Sequence, residues 1–312
     1  MKIVFMGTPD FAAHHLKALV EDGWNVVGVF SQPDKPKGRG RKVKPTPVKN
    51  VALNYGLKVY QPRSVNKEDG FLKLMDCNPD LIITVAYGKL LKPKVFEFPE
   101  LGTYNIHASL LPKYRGAAPI QRVLENDEKE TGITIFKIDE GMDSGPIAVQ
   151  KKIEITDRDT FGILHNRLAV LGVKSLMEFL KLMKTDQVEL KEQDDEKVTY
   201  APKIEKNERI IYSFNDECRK IFNKIRANDP VPGALTEFDG KKIKMFKASP
   251  FKRESTIPGE IVSIEKNGML VSCKDGLLNI AEIQLAGKTK MSPWQAKAGR
   301  LLNEGMLLGG NK

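Results

Sequence analysis

The sequence predicts an α/β fold with a mostly parallel sheet, followed by a smaller β-rich domain. Three observations predict it. Apolar runs at 2–6 and 26–31 do not alternate, as expected of strands buried on both faces, and a helical pattern separates them. After Pro230 and Pro232 the pattern changes to short strands punctuated by Asn267-Gly268 and Asp275-Gly276, which are hairpin turn signals. The chain has 312 residues, enough for two cores, and 41% of them are hydrophobic against 29% charged, as in an ordinary globular protein.

The opening β-α-β unit places a helix over 11–21, with Thr8 as its N-cap and Pro9 in its first turn. The architecture is Rossmann-like, yet Gly7 is the only glycine at the first turn. The Gly-x-Gly-x-x-Gly spacing that lets a backbone approach a pyrophosphate is missing, which disfavours a nicotinamide-dependent dehydrogenase. His14 and His15 fall within this helix and read as packing or surface residues. Residues 32–45 have no periodicity, and their prolines and glycines exclude a helix or a central strand. A long basic loop on the ligand-binding edge of the sheet is expected there. Helices follow at 47–55 and 67–76, and strands at 57–60 and 80–85. Residues 86–91, just after the last of these, can form one wall of a flat ligand pocket.

A strand over 102–106 leads to Asn105 and His107, two residues apart and therefore on one side of it. An amide and an imidazole at the carboxyl end of a strand make a usable oxyanion and proton-transfer pair. The chain then turns through 109–112 and enters a helix over 120–126. A strand at 132–138 runs into a tight loop, 139–146, which presents Asp139, Glu140 and Asp143. After a strand at 147–155, apolar residues recur at helical spacing through 160–183, capped by Asp159 or Thr160, with His165 as a structural residue on that helix. Residues 185–208 are polar with no core face and read as an interdomain connection. A helix at 215–227, five strands (234–238, 241–248, 259–264, 268–272 and 277–285) and a closing helix at 293–302 complete the chain. The five strands suggest an OB-like β-barrel, a frequent nucleic-acid platform.

The formal charge of +10 is unevenly placed. Residues 35–44 carry six Lys/Arg and no acid, and residues 203–312 carry 20 Lys/Arg against 13 Asp/Glu, so the rest of the chain is slightly acidic. A basic loop and a basic tail point to a polyanionic partner. Within the loop, Lys35, Lys37, Arg39, Arg41, Lys42 and Lys44 are placed to meet a phosphate backbone. Cys77, Cys218 and Cys273 are odd in number and far apart in sequence, which suits neither a disulfide framework nor a zinc site. No apolar run approaches membrane-spanning length, and no signal or transit peptide is read at the N-terminus, so a cytoplasmic location is expected.

Read as one string, Tyr104-Asn-Ile-His-Ala-Ser-Leu-Leu-Pro-Lys-Tyr-Arg-Gly-Ala-Ala-Pro119 resembles the signature of the formyltransferases that use 10-formyltetrahydrofolate. Thr8-Pro-Asp-Phe11, Gln32-Pro-Asp34, Val85-Ala-Tyr-Gly88 and Gly141-Met-Asp-Ser-Gly145 stand in the family's order, so the resemblance covers essentially the whole chain. It implies a catalytic domain at 1–188, a linker at 189–208 and an OB-like tRNA-binding domain at 209–312. It also implies catalysis by Asn105, His107 and Asp143 without a metal, with 10-formyltetrahydrofolate as co-substrate. The folate pocket is expected at Tyr87, Gly88, Leu90, Ser109, Leu110, Leu111 and Pro112. The basic loop and tail together fit the branch of the family that acts on the methionine of initiator tRNA. Lys203, Lys206 and Arg209 are then further partners of the tRNA backbone, and a monomer is the default. The rivals are transfer to another amine, such as an amino sugar nucleotide, and a silent RNA-binding protein on the same scaffold. The second fits poorly with all three catalytic residue types being present.

Overall fold

The computed structural model describes residues 1–37, 42–251 and 253–309. In chain order its elements are β1 (Lys2–Gly7), α1 (Asp10–Glu21), β2 (Asn25–Phe30), β3 (Lys35–Lys37), β4 (Lys42–Lys44), α2 (Pro47–Asn54), β5 (Val59–Tyr60), α3 (Glu68–Cys77), β6 (Leu81–Val85), α4 (Pro93–Phe96), β7 (Thr103–His107), α5 (Pro119–Glu125), β8 (Glu130–Lys137), β9 (Ile147–Glu154), α6 (Phe161–Lys184), a single 3₁₀ turn (Asp195–Lys197), α7 (Cys218–Ala227), β10 (Ala234–Phe238), β11 (Lys241–Phe251), β12 (Ile261–Glu265), β13 (Gly268–Ser272), β14 (Leu277–Leu285) and α8 (Pro293–Ala298). They form two compact units. One comprises Met1–Gly116, Thr131–Ile153 and His165–Ala201, and the other Ala117–Glu130, Glu154–Leu164 and Pro202–Lys312.

The first unit is built on a seven-stranded sheet in the order β5-β2-β1-β6-β7-β8-β9. Strands β1, β2, β5, β6 and β7 pair in parallel, and β8 runs antiparallel to β7. The predicted mostly parallel sheet is therefore what forms. Its central strands are mostly apolar because both faces are covered: all of β6 is buried, and Val4, Met6, Phe30, Leu74 and Ile82 share one core cluster. From β1 the chain moves to β2 on one side, and β6 lies on the other, with Gly7 paired to Val85 at their carboxyl ends. That reversal is where open α/β sheets hold ligands.

Two local expectations are corrected. Thr8 does not cap α1, because the N-cap is Pro9, which offers no side-chain hydrogen bond. Lying outside the helix, the Thr8 hydroxyl instead donates to the Tyr87 carbonyl (3.1 Å) and accepts from the Gln32 amide (3.4 Å). The segment expected to be a structureless basic loop contains a hairpin of β3 and β4, which sets Lys35 opposite Lys44 and Lys37 opposite Lys42. A two-stranded ladder needs little apolar surface when its foot is fixed, and here Lys49 Nζ donates to Asp34 (2.6 Å) and to Gln61 (2.7 Å). Arg39 and Arg41 lie outside the described residues.

The second unit carries the antiparallel sheet β10-β11-β14-β13-β12. Its core gathers Phe214, Phe222 and Ile225 with Ile243, Val271, Leu278 and Ile283. Residues 305–309 bond both open edges: Ile261 N–H donates to Met306 (2.8 Å) beside β12, and Gly309 N–H donates to Glu237 (2.9 Å) on β10. No helix among the described residues is long and apolar enough to cross a membrane.

Candidate active site

Register places the site. Parallel pairing sets Thr84 on β6 against Asn105 on β7, and antiparallel pairing sets His107 against Thr134 on β8. The Thr84 hydroxyl donates to Asn105 Oδ1 (2.8 Å), which turns the amide's N–H₂ end away from β6. His107, 6% exposed, is the last residue of β7. Its Nε2 lies 2.9 Å from the Tyr114 carbonyl oxygen. A carbonyl only accepts, so Nε2 carries a proton and the exchangeable position is Nδ1. Nδ1 is 3.6 Å from Asp143 Oδ2.

Asp143 stands in the 139–146 loop at φ +52°, and Tyr114 at φ +61°. Both lie in the left-handed region, which is uncommon for a non-glycine residue and which aspartate enters more readily than tyrosine. Asp143 Oδ2 accepts from Gly116 N–H (2.8 Å), so one carboxylate oxygen meets both the 114–116 turn and the histidine. Gly116 sits at φ +120°, and a Cβ there would lie 2.9 Å from the Ala201 carbonyl oxygen. Gly145 is under a tighter restriction: its Cβ would fall 1.8 Å from the Lys137 carbonyl oxygen. Asn105, His107 and Asp143 thus come from one strand end and one loop of a single unit, as an amide, an imidazole and a carboxylate.

The residues expected to line a ligand pocket are placed differently from one another. The Tyr87 ring is 4% exposed in the core beside Phe30, and burial pushes its hydroxyl pKa up to about 12. Leu90 is 77% exposed, and Gly88 is exposed at φ +82°. Asn66 pins this loop by donating to the Leu90 carbonyl (2.8 Å) and accepting from Lys92 N–H (2.9 Å). Ser109 and Leu111 are buried, whereas Leu110 and Pro112 are part-exposed. Thr134 fixes their turn by donating to the Ser109 carbonyl (2.7 Å), and Gln150 by donating to the Leu111 carbonyl (2.9 Å). Among the residues expected to meet phosphate, Lys35 and Lys44 are exposed on the hairpin of the first unit. Lys203 and Lys206 are exposed, and Arg209 part-exposed, in the second unit. No cluster of three or more His, Cys, Asp or Glu among the described residues is placed to hold a metal ion.

Sequence reasoning did not single out Thr84, Arg115, Gln193 or Thr199. Thr84 is one polar residue in an apolar strand, which is a signal of a kind. Gln193 and Thr199 lie in a mostly polar stretch and carry none.

The family model for formyl transferase matches residues 1–180, and that for the formyl transferase C-terminal domain matches 203–301. Methionyl-tRNA formyltransferase from Kosmotoga olearia is 60% identical over 99% of this chain and 100% of its own length. The enzyme of the same name from Thermotoga maritima is 49% identical over 98% of this chain and 97% of its own. Among solved structures, HypX from Aquifex aeolicus in complex with tetrahydrofolic acid is similar in fold, with a TM-score of 0.67 at 18% identity. That match covers 96% of this chain and 46% of HypX, so the chain spans about half the length of that protein.

Proposed function

This chain belongs to the formyl transferase family, and from that premise we propose that it transfers the formyl group of 10-formyltetrahydrofolate to the α-amine of methionine on initiator tRNA. The observation that carries the chemistry is the His107 Nδ1 facing the Asp143 carboxylate at 3.6 Å. The full-length likeness to enzymes named methionyl-tRNA formyltransferase supports the choice of acceptor.

The reaction makes specific demands on these side chains. Attack of the amine on the formyl carbon leaves a negative oxygen and a positive nitrogen. Asn105 donates its amide N–H to that oxygen. His107 donates from Nδ1, which it can do only as the imidazolium, because Nε2–H is committed to Tyr114. The Asp143 carboxylate stabilises that cation and accepts the proton the amine sheds, directly or through water. Collapse expels the folate nitrogen, which takes a proton from the same relay. Folate is taken to lie at the β1/β6 reversal, along 86–91 and 109–112, with the Tyr87 backbone rather than its ring facing the ligand. The basic segment 35–44, with Lys35, Lys37, Arg39, Arg41, Lys42 and Lys44, and the tail cations Lys203, Lys206 and Arg209 meet the tRNA backbone. On this reading the enzyme works as a monomer in the cytoplasm, where charged tRNA is used.

The experiment is a transfer assay with purified protein, 10-formyltetrahydrofolate and either initiator Met-tRNA or a panel of amino sugar nucleotides. Formyl-methionyl-tRNA is the expected product. Turnover of a sugar amine with none on Met-tRNA would overturn the acceptor, and no turnover of any amine would overturn the chemistry.

A further inference from the structure

Residues 191–201 follow α6 as an extended strap with little secondary structure of its own, and the bonds it makes in the first unit converge on the turns around Asp143. Lys191 exchanges both backbone hydrogen bonds with Ile147 (2.7 and 2.9 Å). Gln193 Nε2 donates to the carbonyls of Asp143 (2.9 Å) and Gly145 (2.8 Å). Gln193 Oε1 accepts from Arg115 Nε (3.1 Å) and Nη2 (2.9 Å). Thr199 and Ala201 grip the other side: Arg115 N–H donates to Thr199 (2.9 Å), Ala201 N–H donates to Arg115 (2.7 Å), and Tyr114 N–H donates to the Thr199 hydroxyl (2.9 Å).

We propose that Gln193 is a positioning residue for the formyl-transfer site: held by Arg115, its amide clamps the backbone at Asp143 and Gly145, so that the Asp143 carboxylate is presented to His107. The inference rests on the roles given above to Asp143 and His107. Three observations carry it. An amide has two N–H groups and two lone pairs, and all four are matched here. Flipping it would set oxygen against two carbonyl oxygens and N–H₂ against a guanidinium, so its orientation is fixed. Arg115 is itself 6% exposed and also bonds Asp195 Oδ1 (3.2 Å), so it is a rigid support. Finally, Asp143 belongs to a loop with no helix or strand of its own, so no ladder fixes its backbone, and Gln193 is bonded directly to the Asp143 carbonyl.

The test compares Gln193→Glu, Gln193→Met and Asp143→Asn, alone and combined, in the full-length enzyme. Gln193→Glu keeps the bond to Arg115 but sets an acceptor against two carbonyls, and Gln193→Met keeps only the shape. Each Gln193 variant is expected to lose on the order of 10²-fold in kcat, as misplacement by about 1 Å can cause, with KM for both substrates nearly unchanged. Adding either Gln193 substitution to Asp143→Asn should cost nothing further, since both act on one element. Wild-type kcat in both Gln193 variants, losses that multiply in the combined variants, or loss of cooperative urea unfolding in both would each overturn the proposal. Full activity of Asp143→Asn would instead overturn the catalytic role on which it rests. That failure is distinct, because it appears without any change at Gln193.

Discussion

At His107 one hydrogen bond decides which nitrogen can act. With Nε2–H given to Tyr114, all proton exchange runs through Nδ1, and Nδ1 faces Asp143. Asp143→Asn should preserve the fold, since the amide oxygen can still accept from Gly116 N–H, while removing the charge opposite the imidazole. We expect kcat to fall by about 10²–10⁴-fold, the usual contribution of general acid–base catalysis, read in single-turnover transfer alongside the thermal midpoint. A variant with near-normal kcat would take Asp143 out of the mechanism. Thr84 gives a subtler case. Thr84 is 3% exposed and its hydroxyl sets the Asn105 amide orientation, so Thr84→Val removes the guide without removing the amide. Loss of one such bond, worth about 1 kcal/mol, should lower kcat several-fold to tenfold, with Thr84→Ser restoring it. If Thr84→Ser were as impaired as Thr84→Val, packing rather than the hydroxyl would be the cause.

The β3/β4 hairpin is held by a ladder of only three residue pairs among the described residues. Its register sets Lys35 directly opposite Lys44, and like charges directly opposite are unfavourable. Its foot is secured by Asp34, Lys49 and Gln61, with Gln61 donating to both the Gln32 carbonyl (2.8 Å) and Asp34 (2.7 Å). Such a ladder gains most when a polyanion supplies the missing counter-charge. Replacing Lys35 and Lys44 together with Ala should leave folate binding and global stability nearly intact, as surface changes usually do. The same change should weaken tRNA binding and flatten its salt dependence by roughly 0.7–0.9 in log–log slope for each phosphate no longer neutralised. Titrations of Met-tRNA across a salt series measure this. Coincident lines for wild type and variant would show that these two lysines touch no phosphate.

For the molecule as a whole, acid stability should depend on a histidine that takes no part in catalysis. His15 is fully buried, its Nδ1–H donates to the Phe11 carbonyl (2.7 Å), and its Nε2 has no partner among the described residues. Gly172 on α6 leaves room for it, since a Cβ there would lie 2.3 Å from Nε2. Burial, partly offset by the Phe11 bond, lowers the His15 pKa from 6.5 to about 4. The unfolded chain therefore binds this proton first. Stability is fully present above pH 6.5 and is lost as pH falls toward 4, by up to about 3 kcal/mol if the whole shift counts. Urea unfolding between pH 7 and 4.5 should show the decline, and His15→Gln, though less stable at neutral pH, should show a flatter one. Parallel curves for the two proteins would assign the acid sensitivity to other groups.

What the sequence determined by itself was whatever depends on local pattern. The parallel α/β unit and the β-rich tail were legible because burial on two faces and on one face impose different hydrophobic periods. Asn105 and His107 were legible as a pair because period-two geometry on a strand needs no tertiary knowledge. The acidic loop around Asp143 was legible from its glycines. Only the tertiary structure decided how these parts meet. Which histidine nitrogen is free depends on the Tyr114 carbonyl, seven residues away around a turn. Asn105 is oriented by Thr84 on the neighbouring strand, and the Asp143 turn is held by Gln193, fifty residues further along the chain. A polar residue in a polar stretch carries no periodic signal. Its partners are chosen by the packing of distant segments, and hydrogen bonds between them leave no trace in the local sequence.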